Sequence, residues 1–216
     1  PTRRSPLVRI LVVGLALALA AVAAVSGYRL LTLPPLGSAG SSALGPTTVD
    51  PTVLGPADGA GPDGPLGTAG GAVPDGATVY DDHLPAVANL DPALLAALRR
   101  ATTEAADDGV TLHVNSGWRS PAYQERLFDE AVAEHGSAQE AARWVATAET
   151  SAHVAGDAVD IGPPEAADWL ADEGDDHGLC PVYDNEPWHF ELRPEAAVSG
   201  CPPTYSDPTE DPRMRR

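Results

Sequence analysis

The chain has 216 residues and a formal net charge of −18, and its 13 basic residues are all arginine. So acidic a surface excludes nucleic-acid binding, which demands a basic face for the phosphate backbone, and suits a soluble, well-hydrated domain. The length allows one ordinary domain with extra segments beside it.

Residues 1–33 begin with Arg3, Arg4 and Arg9, followed by the uncharged run ILVVGLALALAAVAAV at 10–25, which Ser26, Gly27 and Tyr28 extend to 19 residues. A spanning helix needs about 20 apolar residues, and the positive-inside rule leaves the basic end in the cytoplasm and the remainder outside. The small residues in AVA and AVS also fit a cleaved signal peptide. A transmembrane anchor or a signal peptide is therefore expected over 1–33, and either exports the rest. Residues 34–76 contain 11 glycines and 8 prolines, 19 of 43 positions, with no surviving apolar period. That composition predicts a flexible linker, a disordered stalk. The tail 206–216, SDPTEDPRMRR, reads as disordered.

Between them, 77–205 carries the signals of a folded domain. Asp91 as N-cap, Pro92 at the first helical position and Gly109 beyond the end bracket a helix with Leu94, Leu95, Leu98 and Ala101 inward. VTLHVN then alternates as a half-buried strand through Val110, Leu112 and Val114. Ser120 and Pro121 open a second helix with Leu127, Phe128 and Ala131 or Val132 inward, closed by Gly136. Ser137 and Glu140 form a capping box for a helix through Ala148. A short helix follows Pro164, and LCPVY and WHFEL read as strands. Helices first and a small sheet late predict an α+β fold without internal repeats. Only Cys180 and Cys201 occur, 21 positions apart. An oxidising compartment favours a disulfide between them, with two free thiols or a cysteine metal pair as the alternatives.

The stretch TSAHVAGDAVDIG brings His153 and Asp160 close in sequence, with Gly156 and Ala158 leaving room for a sharp bend and a close approach. Asp160 is expected at the end of a buried strand. Downstream, DNEPWHFEL offers His189 with Glu186 three positions before it. Two imidazoles and one carboxylate make a three-ligand set for zinc with its fourth position open for water, whose pKa the metal lowers, and Glu186 is placed for proton transfer. In NSGWRSPAYQ, Arg119 sits at a strand-to-helix junction from which its fork can meet a carboxylate or an oxyanion, and Gln124 lies one turn on. Trp188 reads as a core residue beside the site, with a substrate platform as the alternative. His83, His113, His135 and His177 carry no assigned role.

SGWRSPAYQ, SAHVAGDAVDIG and EPWHFE, in that order within about 110–193, resemble the VanY-like D-alanyl-D-alanine carboxypeptidases, zinc metallopeptidases of the hedgehog/DD-peptidase fold. The resemblance implies a small antiparallel sheet flanked by helices and one Zn²⁺ ion held by His153, Asp160 and His189. It implies Glu186 as general base, Arg119 stabilising the tetrahedral intermediate, and Gln124 and Ser151 holding the terminal carboxylate of the peptide. It also implies peptidoglycan stem peptides as substrate, cleaved in the bacterial cell envelope. The interval from Asp160 to His189 is short for the family, which bears on substrate range more than on catalysis. An L,D-carboxypeptidase or endopeptidase using the same site, and a non-hydrolytic wall-binding module, are the alternatives.

Overall fold

The computed structural model describes Gly64 and residues 66–215. The basic end, the apolar run at 10–28 and most of the expected linker lie outside those residues. Among the described residues no helix is long and apolar enough to cross a membrane.

The last part of the expected linker belongs to the domain. A 3-10 turn at Thr68–Gly70 leads to Val73, which packs against Ala77, Leu84 and Val87. The Ser120 amide donates to the Gly70 carbonyl at 2.8 Å. Gly71 has φ +107°, and a Cβ there would lie 2.3 Å from the Trp118 carbonyl oxygen. Glycine density here marks close backbone approach, which composition alone cannot tell from flexibility.

Helix α1 (Pro85–Ala88) precedes α2 (Pro92–Asp107), whose Asp91 cap accepts from the Ala93 and Leu94 amides at 2.8 and 3.1 Å. Leu94, Leu98, Ala101 and Ala105 form its buried stripe. Strand β1 (His113–Ser116) starts three residues after the first alternating valine, although Leu112 and Val114 are buried as their spacing predicts. In α3 (Pro121–His135) the buried side chains are Gln124 and Ala131, while Leu127 and Phe128 are half-buried. Helix α4 (Ala138–Ala141) keeps its Ser137 cap but stops well short of Ala148. The Arg143 and Ala146 carbonyls instead accept from Asn185 Nδ2 at 2.7 Å and Gln124 Nε2 at 2.8 Å. Tertiary partners thus outcompete the next helical turn. Then follow α5 (Ala152–Ala155), β2 (Ala158–Gly162), α6 (Pro164–Glu173), β3 (Leu179–Tyr183), β4 (Glu186–Leu192) and α7 (Ala196–Ser199).

The fold is α+β, with one antiparallel sheet of strand order β1-β2-β4-β3. Strand alternation sorts its two faces. Val114, Val159, Ile161 and Phe190 join Leu94, Leu98 and Leu170 in the core. Asp160, His189 and Glu191 occupy the alternate positions, and all three are buried.

The expected disulfide is present between Cys180 on β3 and Cys201. The expected disordered tail is not. Beyond the bridge the chain returns beside β3, where Tyr205 and Val182 are joined by a 2.9 Å amide–carbonyl bond, and closes in 3-10 turns at Pro208–Glu210 and Pro212–Arg215. Asp207 accepts from the Thr209 amide at 2.9 Å and pairs with Arg143 at 3.0 Å, while Asp211 is fully buried under Tyr183. The prolines and aspartates that look like disorder in composition act here as turn starters and caps.

Candidate active site

Asp160 on β2 and His189 on β4 are directly opposed across the sheet, so strand register alone sets a carboxylate beside an imidazole. Asp160 sits at the centre of its strand, not at the end. His153 comes from α5, where the Ser151 hydroxyl accepts from the Val154 amide. Gly156 ends that helix at φ +81°, and a Cβ there would approach the Asn89 carbonyl oxygen to 2.5 Å. Only glycine permits so abrupt a return to β2. The result is a near-equilateral triangle. His153 Nε2 lies 3.2 Å from His189 Nδ1 and 3.3 Å from Asp160 Oδ1, and His189 Nδ1 lies 3.2 Å from Asp160 Oδ1.

The outer ring nitrogens decide which lone pairs face inward. His153 Nδ1 lies 2.8 Å from the Gly117 carbonyl oxygen, so it carries the proton and Nε2 presents a lone pair. His189 Nε2 lies 3.4 Å from Glu191 Oε1, which leaves Nδ1 as the inward atom. This is how metal-binding histidines are commonly oriented. Two lone pairs and a carboxylate oxygen at such separations repel unless positive charge lies among them. Without a metal a proton serves. Burial works against a charged His189, yet hydrogen bonds to Asp160 and Glu191 carry its pKa up to about 9. A zinc ion fits the same donors. The observed edges of 3.2 to 3.3 Å equal the edge of a tetrahedron with metal–ligand bonds of about 2.0 Å, which is about 3.3 Å. Two imidazoles and a carboxylate without a thiolate also match open zinc sites.

Glu186 opens β4. Pro187 and Trp188 are both exposed, so the strand breaks its alternation and returns Glu186 and His189 to one side. Its Oε2 lies 3.8 Å from His189 Nδ1. Burial raises its pKa to about 7, with the His189 charge opposing and the Asp160 charge reinforcing. A carboxylate so tuned can take and return a proton near neutrality.

The model of the family described as VanY, D-alanyl-D-alanine carboxypeptidase, matches residues 87–179. Among solved structures, VanYB in complex with D-alanine-D-alanine is 30% identical, with 51% of this chain covering 75% of that one and a TM-score of 0.48. The vancomycin-resistance D,D-pentapeptidase VanY of the VanB-type cassette, a mutant in complex with Zn(II), is also 30% identical, with 48% of this chain covering 72% of that one and a TM-score of 0.45. The chain belongs to the VanY family. The L,D-carboxypeptidase DacB from Streptococcus pneumoniae is 28% identical over 52% of this chain and 73% of that one, with a TM-score of 0.43. No curated protein matches.

The matched stretch of this VanY-family chain stops before Glu186 and His189; the β2–β4 register brings His189 to the centre, and the break in the alternation of β4 brings Glu186 beside it. Arg119 is held by its whole fork: Nε donates to Ser116 Oγ at 2.8 Å, Nη1 to Gln124 Oε1 at 3.2 Å and Nη2 to Asp160 Oδ2 at 2.9 Å. Gln124 is 1% exposed and spends both ends of its amide inside the protein, on Arg119 and the Ala146 carbonyl. Ser151, buried, caps α5. All these residues except Ser116 line one cleft of about 600 Å³ together with Trp144, Trp188 and Met214. Trp188 is 42% exposed at that cleft, not in the core, because it occupies the break in β4. Sequence reasoning passed over Ser116, Glu191 and Arg213. Glu191 had a usable signal, since a carboxylate two positions after His189 on a strand shares its face. Arg213 had none.

Proposed function

We propose that the chain is a zinc-dependent carboxypeptidase that removes the C-terminal D-alanine from peptidoglycan stem peptides in the cell envelope. The observation that carries this reading is the triangle of His153, Asp160 and His189 beside a buried Glu186, all lining one cleft. Supporting it, one of the similar VanY structures is described in complex with D-alanine-D-alanine and one with Zn(II). The disulfide agrees with an oxidising location.

His153, Asp160 and His189 would hold the ion through Nε2, Oδ1 and Nδ1. Bound there, zinc supplies Lewis acidity and makes a water acidic enough to be deprotonated near neutral pH. Glu186 takes the proton from the attacking water and delivers it to the nitrogen of the departing D-alanine, ending as it began. Arg119 uses three of its five N–H groups on Ser116, Gln124 and Asp160; the other two serve the developing oxyanion or the peptide carboxylate. Gln124 acts by holding Arg119. Ser151 orients α5 and hence His153.

The test is incubation of the full chain with a pentapeptide ending in D-Ala-D-Ala and with the corresponding tetrapeptide. The expected result is release of one alanine from the pentapeptide only, abolished by a chelator and restored by zinc. Alanine release from the tetrapeptide would move the reading to an L,D-carboxypeptidase, and cleavage within the stem to an endopeptidase. Zinc-loaded protein that releases nothing from either peptide would leave a wall-binding module.

A further inference from the structure

We propose that Arg213, far from the three motifs, is a positioning residue for the metal centre that acts through Glu191. The inference rests on the zinc reading above and assigns part of the site to the arm that follows the disulfide. Glu191 is 1% exposed and is the partner of His189 Nε2, so its orientation sets the ring that must present Nδ1. At 3.4 Å that contact is too long to hold the carboxylate by itself. Arg213 holds it. Its Nη1 donates to Glu191 Oε2 at 2.6 Å and its Nη2 to Oε1 at 3.0 Å, a two-point contact that fixes the carboxylate plane.

The guanidinium is fixed in turn. Its Nε donates to Asp211 Oδ2 at 2.9 Å and Nη2 to the same oxygen at 2.6 Å, and the Arg213 amide donates to Asp211 Oδ1 at 2.8 Å. Asp211, with no exposed surface, also accepts from the Tyr183 hydroxyl at 3.1 Å, and the Tyr183 ring lies 5.2 Å from that of His189. Tail, β3 and β4 are therefore cross-linked around one imidazole. Without Arg213, Glu191 keeps Arg193, whose Nη2 lies 2.9 Å from Oε2, the oxygen turned away from His189. The carboxylate is then free to swing toward Arg193, and His189 loses the acceptor that keeps its proton on Nε2.

Loss of such an outer-shell partner weakens metal binding by about 10- to 100-fold. The experiment measures zinc affinity of the full chain by competition with a chromophoric chelator, with far-ultraviolet dichroism as the check of folding. Arg143→Ala is the control, because Arg143 ties the same arm through Asp207 at 3.0 Å without touching Glu191. Arg213→Ala should weaken zinc binding about 10- to 100-fold, and Arg143→Ala should leave it close to native. Native affinity in Arg213→Ala overturns the proposal, and so does an equal loss in Arg143→Ala, which would reduce Arg213 to a clasp for the arm. Arg213→Lys, which keeps the charge without the fork, decides the matter if the alanine variant does not fold: weakened zinc binding supports the role and native affinity refutes it. A native chain that takes up no zinc sinks the zinc reading itself, an outcome distinct from native-like binding in the variants.

Discussion

Glu186→Gln keeps the shape of the side chain and removes its charge, and the structure predicts opposite effects on turnover and on stability. The carboxyl is 9% exposed, and its pKa rises from 4.5 to about 7 on folding. That difference corresponds to about 3 kcal/mol at roughly 1.4 kcal/mol per pH unit. Below pH 4.5 the group is protonated in both states and costs nothing. As the pH climbs from 4.5 to about 7 the unfolded chain releases its proton first, so the folded state loses ground; above that range the loss is complete. Glutamine does not titrate. In urea unfolding of the chelator-treated full chain, Glu186→Gln should therefore be the more stable protein by about 3 kcal/mol near pH 8, with the gap closing toward pH 4.5. Zinc-loaded, the same variant should turn over D-Ala-D-Ala peptides about 10²- to 10⁴-fold more slowly. Equal unfolding midpoints at pH 8, or a gap of the same size at both pH values, would refute the claim that burial tunes this carboxylate.

Three further outcomes follow from particular contacts. Gly156→Ala puts a side chain at φ +81° and 2.5 Å from the Asn89 carbonyl oxygen; it should lower stability by at least about 1–3 kcal/mol and weaken zinc binding, both read by thermal unfolding with and without the metal. Cys180→Ser opens a loop of 21 positions and should cost about 3 kcal/mol, with reductant producing no additional loss in the variant. Burial pushes the Asp211 carboxyl up, but the hydrogen bonds from Arg213 and Tyr183 outweigh it and hold the pKa below 3.8. Its contribution is complete above that value and fades as the pH falls through the folded pKa, so Asp211→Asn should flatten the acid limb of a stability–pH curve.

The parts of this protein that declare themselves in sequence are those with local physics. Asp91 caps its helix through amides two and three residues away, and Ser120 and Ser137 cap theirs through the amide three residues on. His153, Asp160 and His189 could be singled out together because two imidazoles and a carboxylate are donor types that suit zinc, and the structure brings them within reach of one another. What eluded the sequence depends on distant partners. Nothing near Ala146 announces that its carbonyl will turn to Gln124, which ends the helix expected to reach Ala148. The register that opposes Asp160 to His189 spans 29 positions and has no local signature. In the tail, turn-forming residues and disorder-forming residues are the same types, and distant partners, such as the two buried carboxylates that Arg213 meets and the Arg143 that Asp207 meets, separate the outcomes.

The centre also explains why the polar side of so small a sheet can be buried at all. Asp160, Glu186, His189 and Glu191 all lie on that side and are buried, and buried charge is costly unless it is paired. Arg119 answers Asp160 from one flank, and Arg213 answers Glu191 and Asp211 from the other. Glu186 has no arginine opposite it among the ion pairs of the described residues; its neighbour is His189 at 3.8 Å, and of these carboxyls it is the one in which the upward push of burial is not outweighed. The two flanking carboxylates are thereby held ionised as fixed struts, while the third is left titrating near neutral pH. A site that needed only to bind would gain by setting an arginine against Glu186 as well. Leaving it without an arginine, with only the 3.8 Å contact to His189, costs folding free energy and keeps a proton mobile near neutral pH, which suits hydrolysis of an amide.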